Sequence, residues 1–194
     1  MNRLLTVTSA IFAVTIVLSA QSPPTRYGIG IPATPDQIAA LDIDVRADGT
    51  GLPPGSGSAR EGAPIYAQKC AACHGANGEG GSADPLVGAQ PKNTSPFGPE
   101  YERWRNGAPD VPFTIGNYWP YATTIFDYVR RAMPASAPGS LSADETYSLV
   151  AWLLAKNDVI EESALINATT LPRVEMPARR RFVPDTRKGG SEVK

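Results

Sequence analysis

Both cysteines of this chain and its only histidine fall within five consecutive positions, in the stretch KCAACHG that holds Cys70, Cys73 and His74. These are the strongest metal-binding side chains a protein has, and no other Cys or His exists in the 194 residues to add to them. A structural zinc site is closed by a further protein ligand that this set cannot supply. A thioredoxin-like redox pair expects a βαβ context. Here a helical pattern precedes the motif and a Gly-rich loop follows it. Cys-x-x-Cys-His is the attachment signature of a c-type haem. Two thiols spaced along one helical turn add across the two vinyl groups of the macrocycle, and the adjacent His74 reaches the iron as proximal ligand.

A six-coordinate haem needs a second axial ligand. With His74 used, a thioether is the soft alternative, and Met/His ligation raises the reduction potential. After the leader discussed below, the chain has two methionines, Met133 and Met176. In YATTIFDYVRRAMP, residues Ala122, Ile125, Phe126, Val129 and Met133 share one helical face. Pro120 suits the start of that helix and Pro134 its end. Met133 therefore leaves the apolar face where the chain turns, and it is the candidate ligand. Met176 is the runner-up. Tyr118, Trp119 and Tyr121 are candidates to pack near the haem and donate to its propionates. Arg130 and Arg131 are candidates to pair with a propionate.

The first residues, MNRLLTVTSAIFAVTIVLSAQSPP, read as a secretory leader: Arg3, an apolar run, then small residues with cleavage near Ala20. An uncleaved anchor is the alternative, but the run is short for a span. Export to the periplasm follows, with no stable membrane span after cleavage. The formal charge of −1 gives no reason to propose nucleic acid. Residues 21–56 read as an N-terminal extension with one weak helical patch, TPDQIAAL, and an irregular linker, DGTGLPPGSGS. A helix is expected over Ala63 to Cys73. Ser58 and Glu61 form a capping-box pattern, but Pro64 argues for the later start. A short helix is expected at Glu100 to Asn106. Another helix opens at the capping box of Ser142 and Glu145, presents Tyr147, Val150, Ala151 and Leu154 on one face, and stops near Asn157. No strand pattern stands out. Residues 161–194 read as a C-terminal extension. From Arg173 onward it holds seven basic residues against three acidic ones, an arm suited to docking on another protein.

The stretch APIYAQKCAACHGANGEGGSADPLVG resembles the helix, haem motif and following loop of class I cytochromes c, over about residues 57–160. The resemblance implies an all-α fold, a small helical bundle around one covalently attached haem c, with irregular N- and C-terminal extensions. It implies that a proline carbonyl after the motif, here that of Pro85, fixes the other ring nitrogen of His74. A ligand methionine before the last helix is also the order of that family, as Met133 stands here.

Further stretches are similar to the cytochrome subunit of sulfane dehydrogenase in sulfur oxidation (SoxD type): YGIGIPATPDQIAALDIDVRADGTGLPPGSG, TIGNYWPYATTIFDYVRRAMP and NATTLPRVEMP. Longer members carry a second haem domain, whereas this chain has one haem motif. The resemblance implies a monohaem partner of a molybdopterin sulfite-oxidase-like subunit, passing single electrons to a downstream cytochrome or terminal oxidase. No catalytic residue is expected, since the lone histidine is consumed as a ligand. A freely diffusing class I cytochrome of a respiratory chain is the alternative, and a haem enzyme or sensor in which Met133 is displaced is a third reading.

Overall fold

A computed structural model of the chain describes residues 28–88 and 113–182. The leader, the expected helix at Glu100 to Asn106 and the last part of the basic arm lie outside the described residues. Helix α1, Pro35–Leu41, is opened by Thr34, whose hydroxyl accepts from the Gln37 N–H while the Gln37 side chain accepts from the Thr34 N–H. Strand β1, Ser56–Ser58, leads directly into α2, Ala59–Lys69, and α3, Ala71–His74, follows after a break at Cys70. Helix α4, Ile115–Tyr118, precedes α5, Ala122–Ala132, and α6, Ala143–Lys156. Strand β2, Leu165–Asn167, and two 3₁₀ turns, Leu171–Arg173 and Arg179–Arg181, complete the order.

Helix α2 starts earlier than Pro64 suggests. Glu61 accepts from the Ser58 N–H at 2.9 Å and the Ser58 hydroxyl accepts from the Glu61 N–H, so the capping box forms. Pro64 then lies inside the helix, on its exposed side. The carbonyl it frees belongs to Arg60, also exposed, where water can satisfy it.

Helix α6 is the centre of the molecule. The expected single apolar face is too narrow a description: every residue from Thr146 to Leu154 is buried. Helices α2, α4 and α5 and both strands pack around it. The crossing with α2 is close because Gly62 has no side chain. A Cβ there would stand 2.0 Å from the Ser148 carbonyl oxygen. One turn on, the rings of Tyr66 and Trp152 stack with centroids 3.8 Å apart. Helix α5 buries Ala122, Thr123, Ile125, Phe126 and Val129, following its predicted face, and Phe126 meets the Tyr147 ring of α6.

The two strands were not legible in the sequence. β1 and β2 pair antiparallel, with Gly57 opposite Ile166. Three-residue strands reading Ser-Gly-Ser and Leu-Ile-Asn carry too little alternation to be recognised. Their pairing draws the C-terminal segment onto the domain, and Ile166, Leu171 and Met176 join the core. The N-terminal segment is held as well. Val45 is a core residue whose N–H donates to Asp127 Oδ1 at 2.8 Å, and Tyr147 donates to the Pro53 carbonyl. Residues on both sides of 57–160 therefore belong to the same packed unit, with irregular backbone but fixed contacts.

Candidate haem site

Cys70, Cys73 and His74 occupy one helical turn, where the Cys73 and His74 N–H groups both donate to the Cys70 carbonyl. The thiols are not joined to each other, with Cys70 half-buried and Cys73 exposed. Burial pushes the Cys70 thiol up from its ordinary range. His74 Nδ1 lies 2.7 Å from the carbonyl oxygen of Asp84. A carbonyl only accepts, so Nδ1 carries the proton and Nε2 keeps its lone pair for a metal. The partner is thus the Asp84 carbonyl and not that of Pro85. The two flank the same proline: Pro85 has no N–H and restricts Asp84 to extended backbone, so the Asp84–Pro85 peptide offers the ring only an acceptor.

The loop after the motif closes on itself. The Gly80 N–H donates to the His74 carbonyl at 2.7 Å, Ala83 N–H to Cys73, and Leu86 and Val87 both to Gly78. Gly75 ends α3 at φ 83°, a left-handed backbone that favours glycine. Its carbonyl accepts from the Tyr66 hydroxyl at 2.9 Å. Burial pushes that phenol up to about 12, so it remains a donor throughout the neutral range.

Asn157 is the site residue that sequence reasoning missed. It is fully buried at the C-terminus of α6. Its amide nitrogen donates to the Leu86 carbonyl at 3.0 Å and to Leu153 at 2.8 Å. Its oxygen accepts from the Gly116 N–H at 3.2 Å. The Ile115 N–H also donates to Leu86. One side chain thereby ties the loop that orients His74 to α4 and α6. A polar residue closing a helix is an ordinary C-terminal signal, and only its burial distinguishes it here.

Among the aromatic candidates, Trp119 has its polar group tied to a neighbouring side chain. The Trp119 indole N–H donates to Thr124 Oγ1 at 2.8 Å, so it is not directed at a propionate. Tyr118 meets Phe113 and Phe182 edge-on. Tyr121 lies under the Arg179 guanidinium, 4.4 Å from it. Arg131 is committed to Asp127 four residues earlier, donating from Nε at 2.8 Å and from a terminal nitrogen to the other oxygen. That leaves it a poor propionate partner, whereas Arg130 is half-buried on the same helix. Met133 stands at the end of α5, half-buried against the core. Met176 is 4% exposed within that core.

Among the described residues, no three Cys, His, Asp or Glu side chains are grouped to hold a bare metal ion. A haem asks less of this turn: one imidazole nitrogen for the iron and two free thiols for the macrocycle. The donor set fits that group. Residues 57–153 match the family model described as cytochrome c oxidase, cbb3-type, subunit III.

This chain is a c-type cytochrome.

A chain in the crystal structure of the sulfane dehydrogenase SoxCD from Paracoccus pantotrophus is 36% identical to the cytochrome, with a TM-score of 0.68. The match covers 83% of this chain and 73% of that one. No curated protein sequence matches the cytochrome significantly. The cytochrome has the class I fold, resembles the SoxD type and is an electron-transfer protein whose family implies haem c. Among the described residues no helix is long and apolar enough to cross a membrane.

Proposed function

We propose that the cytochrome is an exported monohaem subunit that takes single electrons from a molybdenum-dependent sulfur-compound dehydrogenase. The observation that carries this reading is the extent of the likeness. The similarity to the SoxCD chain covers 83% of the sequence, whereas the cytochrome family model spans only residues 57–153. The likeness thus reaches segments outside the haem-binding core.

Bound at this site, haem c supplies a one-electron couple. Cys70 and Cys73 would hold it covalently, His74 Nε2, oriented by the Asp84 carbonyl, would bind the iron, and Met133 at the end of α5 would supply the second ligand. With His74 and Met133 both engaged as ligands, the group would serve electron transfer and would leave no site on the metal for a substrate. Oxidation of the sulfur compound belongs to a molybdopterin sulfite-oxidase-like partner, and a downstream cytochrome or terminal oxidase receives the electrons. Residues 1–20 serve as the leader to the periplasm, which N-terminal sequencing of the mature protein tests.

The description of the matching family model, an oxidase subunit, favours a second reading: a class I cytochrome of a respiratory chain. Purification from the native host separates the two. Co-purification with a second polypeptide and stoichiometric molybdenum is expected. Isolation as a free monomer, with no molybdenum protein bound, would leave the respiratory reading in its place.

A further inference from the structure

Positive charge is concentrated in one place outside the family-matched region. The chain as a whole carries a formal charge of −1, yet the turn Arg179–Arg181 sets three arginines in succession. Arg179 and Arg180 are exposed, and among the described residues no carboxylate pairs with either. Two other cations are paired, Lys69 with Glu145 and Arg131 with Asp127, and exposed Arg60 and Lys156 stand singly on α2 and α6.

The turn is also fixed to the frame of the site. Arg179 stacks over Tyr121, and Arg181 donates to the Asn117 carbonyl at 3.2 Å. Asn117 belongs to α4, whose Ile115 N–H donates to Leu86 in the loop that orients His74. Buried Ala178 and Met176 seat the turn on the core. A cationic surface held against the wall of a redox site serves association: it steers an oppositely charged partner into contact near the group that exchanges the electron. A floppy basic tail would give no such register.

We propose that Arg179 and Arg180 form a docking surface for the acidic face of a redox partner protein. This rests on the electron-transfer reading and not on which enzyme supplies the electron. The partner's charge is set by complementarity to the two unpaired guanidiniums, and planar bidentate pairing favours carboxylates.

The test uses the intact holo-cytochrome and anionic probes. Hexacyanochromate(III), paramagnetic and inert to electron transfer here, should broaden the amide resonances of Ala178–Arg181 and Tyr121 first. Oxidation of the ferrous protein by hexacyanoferrate(III) should slow several-fold in R179E/R180E at low ionic strength. The charge-matched variant R60E/K156E, altered on exposed positions of α2 and α6, should slow it much less. In 1 M salt, where the screening length is about 3 Å, the difference should vanish. Equal slowing in both variants, or broadening centred elsewhere, overturns the proposal. Failure of the sulfur-enzyme assignment affects neither measurement, because neither uses that partner.

Discussion

Asn157 holds Leu86: its buried amide donates to the Leu86 carbonyl at 3.0 Å, two residues beyond the carbonyl that orients His74. The same side chain accepts from Gly116 and donates to Leu153. Asn157→Ala leaves the Gly116 N–H without its buried acceptor and frees the loop from α6. A loss of about 2–4 kcal/mol is expected, read by urea unfolding of the holo-protein. The midpoint potential should also shift, because His74 would no longer be held in one orientation. An unchanged potential in a destabilised variant would reduce Asn157 to a purely structural residue.

The two methionines separate ligation from packing. Met133→Ala should remove the Met–iron absorption band and lower the midpoint potential, since the thioether favours ferrous iron. Met176→Ala should cost about 2–5 kcal/mol, because Met176 is a core residue at 4% exposure. The band should survive that change. Loss of the band in the Met176 variant alone would exchange the two roles.

Gly62→Ala tests the central crossing. Its new methyl would overlap the Ser148 carbonyl and the Trp152 Cβ, backbone and near-backbone atoms that cannot swing aside. Helices α2 and α6 would have to separate, at a cost of about 1–3 kcal/mol or more. Chemical denaturation measures it, and a neutral result would mean that the crossing is looser than the geometry requires.

Glu145 gives a pH signature. The Lys69 ammonium, then the Ser142 N–H, hold its carboxyl below the ordinary glutamate range. A depressed folded-state value stabilises the protein above the unfolded value, and that contribution is lost as pH falls through the folded one. The stability advantage of the wild type over Glu145→Gln should therefore be full above about pH 4.5 and fade below it. The pair is partly exposed, so the difference should not exceed about 1 kcal/mol. Unfolding curves at several pH values check both the sign and the window.

Local chemistry was the part that could be read directly. The spacing of Cys70, Cys73 and His74 specified the haem turn, because attachment geometry lies within five residues. The capping box of Ser142 and Glu145 set a helix start that depends only on nearest neighbours. Pro64 misled because helix tolerance of proline depends on which side faces water, and that is a tertiary property. Pro85 was a near miss for a related reason: the ring fixes where the acceptor lies, but not which of two flanking carbonyls meets His74.

The sequence by itself determined the cofactor class, the family and the helices that flank the haem motif and Met133, all of which rest on short-range patterns. Only the tertiary structure decided that α6 is buried all round, that Asn157 bridges the loop to α4, and that residues beyond Ile160 belong to the core. Those facts depend on contacts between residues far apart in the chain. The strand pair Gly57–Ile166 and the stack of Arg179 on Tyr121 join such residues through single hydrogen bonds and ring faces, and no local periodicity encodes them.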